Sequence, residues 1–201
     1  MKILMTGFNA FSKETLNPSS LAVELVQAPE GVDLVKKTEL PTLYSVGGIM
    51  QELIEKVQPD AIVCVGQAGG RNAVTLERIA INLQDCSLAD NGGNVMTDCP
   101  VIPGGENALF STLPIKAMVK AMNEAGVPAM ISNTAGTFVC NTLLYETLHY
   151  IKENHLPIKA GFIHVPFLPE QAKNHPGCPS MTLQQMVTAL EAALEAIFRE
   201  G

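Results

Sequence analysis

Two hydrophobic rhythms run along the chain. Short stretches such as "MKILMT" (1–6) and "DAIVCVG" (60–66) are almost continuously apolar, the pattern of a strand covered on both faces. Longer stretches place apolar residues three and four apart, the pattern of a helix with one buried face. A strand at 1–6 is followed by the loop "GFNAFSKETLNPSS". A helix then opens with Asn17 as cap and Pro18 in its first turn, and runs to about Gln27. "VDLVKKTELP" alternates as a strand, and "TLYSVGGIMQELIEKV" reads as a helix weakened by Gly47 and Gly48. After the buried strand "DAIVCVG", the segment "VTLERIAINLQD" alternates as one strand. Residues 85–108, rich in Gly, Asp, Asn and Pro, read as a long surface excursion.

"PIKAMVKAMNEAG" is predicted as a helix capped by Gly126, and "VPAMISN" as a strand. "SNTAGTFVCNTLLYETLHYIKEN" gives a loop and then a helix. "IKAGFIHVPF" is the last strand, and "TLQQMVTALEAALEAIFRE" is an amphipathic closing helix. Strands alternating with helices predict an α/β fold, a three-layer α/β/α sandwich on a largely parallel, twisted sheet. With no repeat or linker in view, residues 1–201 read as a single domain.

Composition narrows the function. Apolar residues make up 47% of the 201 and charged residues 16%, which suits a packed core and leaves little room for disorder. The net charge of -7, with no Lys/Arg cluster, argues against nucleic acid or an anionic membrane as partner. No apolar run reaches the roughly 18 residues of a membrane span, and the first residues lack the pattern of a signal peptide. The five cysteines, Cys64, Cys86, Cys99, Cys140 and Cys178, form no CxxC pair and no zinc-like cluster with histidine. With neither a span nor a signal-peptide pattern the chain reads as cytoplasmic, and in such a chain an odd cysteine count argues for free thiols. "GQAGGR" and "VIPGGENA" match neither a dinucleotide fingerprint nor a P-loop.

Three ionisable residues stand out. Cys140 falls where a loop enters a helix, a place where free N–H groups and the helix dipole favour a thiolate and a developing oxyanion. Its position alone leaves it either a buried core thiol or a nucleophile. Cys64 reads as core, and Cys86, Cys99 and Cys178 as loop thiols with no base nearby. A cysteine nucleophile needs a base, and there are four histidines to test. His149 lies nine residues along the same helix, on the opposite face at about 100° per residue. His155 lies about 22 Å along it, and His175 sits in a loop. His164 remains, near the end of an apolar strand where an imidazole is costly to bury without a partner; it is either a base or a core histidine bonded to backbone. Strand alternation puts Glu77 on one face with Thr75, Ile79 and Ile81, away from Arg78. It either meets a buried partner such as His164 or faces solvent at an edge. Phe8 and Phe11, three apart in the first loop, either wall a small apolar pocket or tuck beneath the loop.

The segments "MTGFNAF" with "NPS", "GQAGGRNAVTLERIAIN", "SNTAGTFVCN" and "GFIHVPFLPEQ", in this order across essentially the whole chain, resemble the pyroglutamyl peptidase type I family of cysteine peptidases. The resemblance implies a phosphorylase/hydrolase-like sandwich, commonly a homotetramer, that removes N-terminal 5-oxoproline from peptides without metal or cofactor. It implies Cys140 as nucleophile, His164 as base and Glu77 as the carboxylate that orients the base. It also implies a lactam pocket of Phe8, Phe11, Phe138 and Val139, with Gln67 on the substrate side, Leu88 as a small apolar position and Asn17 as a brace. The family's usual "GFDPFGG" is "GFNAFSK" here, a change expected to loosen the loop that carries the phenylalanines. Ser87 stands where many members have an arginine. Two other readings compete: a nucleoside phosphorylase of the same broad fold, for which only Arg71 and Arg78 offer a phosphate site, and a lactam- or peptide-binding module without turnover.

Overall fold

The computed structural model describes residues 1–200. The chain runs through β1 (Lys2–Phe8), α1 (Pro18–Leu25), β2 (Asp33–Leu40), α2 (Val46–Val57) and β3 (Ala61–Gln67). The short strands β4 (Val74–Glu77), β5 (Ile79–Ile81), β6 (Gln84–Cys86), β7 (Met96–Cys99) and β8 (Ala108–Phe110) follow. Then come α3 (Ile115–Glu124), β9 (Ala129–Ser132), α4 (Val139–Glu153), β10 (Lys159–Val165), α5 (Pro169–Ala172) and α6 (Leu183–Glu200).

The central sheet has six strands in the order β2-β1-β3-β10-β4-β9. Every neighbouring pair is parallel except β10 and β4. Helices cover both faces, which is why β1, β3 and β10 are apolar at almost every position. Ile3, Met5, Val63, Val65, Ile163 and Val165 pack against α1, α3 and α6. Their neighbours Leu4, Ile62, Cys64 and Phe162 pack against α2 and α4. Burying each such aliphatic side chain contributes about 1.5–3 kcal/mol, so the layered sheet is the main source of stability. The expected α/β sandwich with a mostly parallel sheet is the observed one.

Local signals act as their chemistry dictates. Asn17 Oδ1 accepts the Ser19 N–H at 3.0 Å and caps α1 ahead of Pro18. The helix stops at Leu25, short of Gln27, because Val26 turns to extended backbone. Gly126 has φ +81°, and Val127 N–H reaches Met122 O at 3.0 Å, closing α3 in a Schellman turn. Gly47 is tolerated in α2 because a Cβ there would run into the Glu146 carboxylate on α4.

The single strand expected over "VTLERIAINLQD" is in fact three. The chain changes sheets at Arg78, whose N–H donates to Ser132 O at 2.8 Å while its carbonyl accepts from Ser111 N at 2.9 Å. Beyond that point β5 pairs with β8 and β6 with β7, so Ile79 and Ile81 do not share a face with Glu77. The 85–108 excursion carries the β6–β7 hairpin, which places Cys86 and Cys99 on strands and not in loops. Among the described residues, no helix is long and apolar enough to cross a membrane.

Candidate active site

His164 sits between two backbones. On β10 it pairs in register with Gly66 of β3 on one side and with Thr75 of β4 on the other. Because β4 is antiparallel to β10, Glu77 lies opposite Phe162, one diagonal step from His164 on the same face. Its carboxylate spans that diagonal, with His164 Nδ1 and Glu77 Oε1 2.7 Å apart. Both side chains are almost fully buried.

Glu77 Oε1 also accepts from Arg71 Nη1 at 2.5 Å. The same guanidinium donates to Thr75 Oγ1 and to Thr134 O. Ser132, opposite Glu77 on β9, turns its hydroxyl to Thr134 O at 2.9 Å. Glu77 Oε2 is left without a partner among the described residues. Burial works to raise the Glu77 carboxyl, but His164 first, then the nearby Ser132 hydroxyl and Arg71, outweigh it and hold the group below its usual range. Burial pushes the His164 imidazole down, against the pull of Glu77.

Cys140 is the second residue of α4, whose first turn begins after Phe138 with no side-chain cap. Its Sγ would lie 3.1 Å from a Cβ built on Gly66. Gly66 is the in-register neighbour of His164, so the thiol packs over the strand position next to the imidazole. Glycine is required here, since a side chain would occupy the space of the thiol and of the Phe162 ring. Burial opposes the helix terminus at this thiol. Burial pushes the Cys140 thiol up to about 12, and the Glu77 charge adds to the shift. The Cys64 thiol, within the core on the same sheet face, is likewise raised by burial to about 12.

Cys140 and His164 line one cavity of about 240 Å³ with Phe8, Phe11, Asn17, Gln67, Phe138 and Arg71. This is below the roughly 300–1,000 Å³ of drug-sized sites, so it suits one small residue. Phe11 and Phe138 meet at 6.1 Å between ring centres, and Tyr44 stands edge-on to Phe138 at 5.5 Å. The rim also includes Thr42, Ala68, Thr134, Ala135 and Gly136, which sequence reasoning did not single out. Val139 is fully buried in the core between α4 and the sheet, away from this lining. Leu88 lies on the connection of the β6–β7 hairpin, 37% exposed, and does not line the cavity.

The altered first loop is well tied down. Asn9 Oδ1 accepts from Thr42 N at 3.0 Å, Thr42 Oγ1 at 3.1 Å and Asn91 Nδ2 at 3.3 Å. Asn91 also donates to Ala10 O, and Asn17 Nδ2 to Asn9 O. The looser loop expected from "GFNAFSK" is therefore braced by its own asparagine. The other histidines stand elsewhere. His149 stacks on Tyr145 along α4, His155 follows the end of that helix, and His175 pairs with Glu14. In the sequence Arg71 stands out only as a possible phosphate ligand. The signal that could have found it is the buried charge of Glu77, which needs a cation as well as an imidazole.

Comparison with known proteins adds to this geometry. The model of the pyroglutamyl peptidase family matches residues 1–200. The chain is 45% identical to a pyrrolidone-carboxylate peptidase of Bacillus thuringiensis, over 96% of this chain and 91% of that one. It is 46% identical to one of Clostridium perfringens, over 98% and 93%. Its fold is similar to the crystal structure of pyroglutamyl peptidase I of Bacillus amyloliquefaciens, with a TM-score of 0.92 and 42% identity over 98% of this chain and 94% of that one. It is similar also to a mutant pyrrolidone carboxyl peptidase of the hyperthermophile Pyrococcus furiosus, with a TM-score of 0.93 and 37% identity over 100% and 99%. A sheet that presents a buried imidazole–carboxylate pair beside a cysteine, and full-length likeness to these enzymes, lead to one assignment: the chain belongs to the pyroglutamyl peptidase family of cysteine peptidases.

Proposed function

We propose that the protein hydrolyses the amide bond after an N-terminal pyroglutamyl residue, with Cys140 as nucleophile, His164 as general base and acid, and Glu77 as the group that orients His164. The observation that carries this reading is the 2.7 Å contact between His164 Nδ1 and Glu77 Oε1 at the floor of the cavity that holds Cys140. That contact leaves His164 Nε2 as the nitrogen free to take a proton.

The resting site is a neutral thiol beside a neutral imidazole, since burial raises one and lowers the other. Sγ attacks the scissile carbonyl as His164 accepts the thiol proton. The imidazolium so formed is stabilised by Glu77, which Arg71 keeps ionised. The oxyanion faces the uncapped first turn of α4. His164 gives its proton to the leaving amine, and a water that it then deprotonates cleaves the thioester and releases pyroglutamate. The lactam ring has no charge and suits the aromatic walls of Phe8, Phe11 and Phe138.

Two further parts of the reading rest on other observations. The five cysteines are free, in keeping with a reducing cytoplasm. The exposed apolar side chains Phe110 and Met130 fit burial between subunits of a homo-oligomer, a tetramer by family resemblance. The enzymatic reading is tested by assaying Cys140→Ser on a pyroglutamyl anilide. Turnover is expected to fall by at least about 10³-fold, and near-wild-type turnover would sink it.

A further inference from the structure

Gln67 lines the cavity, and the direction in which its amide points decides whether it offers substrate a donor or an acceptor. The two ends of an amide are nearly alike in size and shape, so the hydrogen-bond network must fix them. Here the network starts from a group whose role is not in question. The backbone N–H of Leu168 meets the Gln171 amide at 3.1 Å, and a backbone N–H can only donate. The Gln171 atom facing it is therefore the oxygen, and the other end of that amide is the NH2.

This NH2 lies 2.9 Å from Glu14 Oε2, 3.0 Å from the Gln67 amide and 3.4 Å from Leu16 O. A carboxylate only accepts, which agrees with the assignment. The Gln67 atom facing Gln171 must be its oxygen. The Gln67 NH2 is then turned away from Gln171, and among the described residues it meets no acceptor. Gln171 itself is 3% exposed and cannot turn to satisfy itself in water. Glu14 is held from its other side, since its Oε1 contacts His175 Nε2 at 2.7 Å, and the His175 ring lies flat on Phe167 at 4.4 Å.

We propose that Gln171, backed by Glu14 and His175, is a positioning residue that fixes the Gln67 side chain as a hydrogen-bond donor into the cavity, matched to the ring carbonyl of a lactam. Gln171 touches no substrate and acts through Gln67. The inference rests on reading this cavity as the lactam pocket. It adds a division of labour: the rings supply shape, and a polarity set three side chains deep supplies a donor.

The test measures inhibition by 2-pyrrolidone, with KM and kcat on a pyroglutamyl anilide, for four proteins: wild type, Gln171→Glu, Gln67→Met and the double variant. In Gln171→Glu an oxygen replaces the NH2; it shares one proton with the facing Glu14 carboxylate, and Gln67 turns over to donate to it, presenting its own oxygen to the cavity. The inhibition constant and KM are expected to rise roughly 10-fold, the size of one lost hydrogen bond, with kcat within about threefold. Gln67→Met is expected to lose as much, and the double variant no more than Gln67→Met alone. Losses that multiply in the double variant, or an inhibition constant for Gln171→Glu within twofold of wild type, overturn the inference. If Gln171→Glu does not fold, Gln171→Met enters the same cycle under the same criteria. A wild-type protein insensitive to 2-pyrrolidone overturns the reading of the cavity and this inference with it. A sensitive wild type with an additive cycle overturns the inference alone.

Discussion

His164 Nδ1 and Glu77 Oε1 are 2.7 Å apart in a setting that hides both from water. A short contact between a buried imidazole and a carboxylate has two consequences. It selects the tautomer with the proton on Nδ1, and it lowers the cost of the imidazolium that forms during proton transfer. Replacing the carboxylate with an amide of the same shape should therefore hurt the rate and not the binding. Glu77→Gln is expected to lower kcat roughly 10³-fold with KM within a few-fold. Steady-state kinetics on a pyroglutamyl anilide, beside an unchanged circular dichroism spectrum, checks it. An effect confined to KM would speak against the orienting role.

Arg71 shares the same carboxylate oxygen. Its removal leaves Glu77 buried with only the imidazole as counter-charge, and Glu77 already has one unpartnered oxygen. In Arg71→Met the Glu77 carboxyl is expected to titrate at higher pH, so the acid limb of kcat/KM moves upward. Arg71 is partly exposed, which limits the stability loss to about 1–3 kcal/mol. A pH–rate profile together with urea unfolding measures both. An acid limb that stays in place would mean that His164 and Ser132 keep Glu77 ionised without Arg71.

Folding stability should follow the same two buried groups. His164 is held below its ordinary 6.5 and Glu77 below its ordinary 4.5. For both, the unfolded chain binds the proton more readily than the folded one, so stability rises with pH across the acid range. Their contribution is complete above the unfolded value of each group and is lost as pH falls toward the folded value. Cooling of the midpoint temperature should thus begin just below about pH 6.5 from His164 and steepen below about pH 4.5 from Glu77. In His164→Asn the upper part of that slope should flatten, as followed by calorimetry at stepped pH. A slope equal to that of wild type would place its origin elsewhere.

Much of this was legible in the chain, for reasons that differ from residue to residue. The continuous apolar runs at β1, β3 and β10 announced strands covered on both faces, and a histidine inside such a run had to find a partner. Alternation correctly put Thr75 and Glu77 on one face, but it could not show that the chain leaves the sheet at Arg78. Changing sheets costs no break in hydrophobic rhythm, so "VTLERIAINLQD" reads as one strand. Arg71 and Gln171 escaped notice because their value lies in long-range partners. Gln171 is 104 positions from Gln67, and nothing in "LPEQA" distinguishes it from a polar residue in a helix start. At Cys140 the sequence shows both a helix N-terminus and the alternative of a buried thiol; that the two act on the same group depends on long-range packing against β3, which local sequence does not carry.

Gly66 offers a steric test of that enclosure. A methyl group there would lie 2.8 and 2.9 Å from carbons of the Phe162 ring and 3.1 Å from Cys140 Sγ. The backbone at Gly66 is held by its pairing with His164 of β10, and β1 pairs with the same strand as far as Cys64. In Gly66→Ala the side chains must move, at an expected stability cost of about 1–3 kcal/mol. The thiol must also give by a few tenths of an ångström, so kcat should fall, by less than the roughly 10²-fold that a ~1 Å misplacement of a reacting atom costs. Thermal unfolding and kcat measured on the same preparation separate the two effects. A variant that is less stable but fully active would show that Phe162 alone yields.

The charge state of Cys140 gives the last prediction. A thiol raised to about 12 beside an imidazole lowered by burial does not form a resting ion pair. The anion that alkylating reagents attack is therefore scarce at neutral pH and increases with each step upward. Inactivation by iodoacetamide should accelerate about tenfold per pH unit from pH 6 through 9, with no plateau. Occupying the cavity with 2-pyrrolidone should slow it, because the Cys140 thiol lines that space. A stable thiolate–imidazolium pair predicts the opposite shape: a rate that levels off near or below neutrality. Mass spectrometry assigns the alkylated residue, and the Cys140→Ser variant reports any labelling of the half-buried Cys86, Cys99 and Cys178. A plateau traced to Cys140 would show that the helix dipole at the start of α4 outweighs the loss of solvent around the thiol.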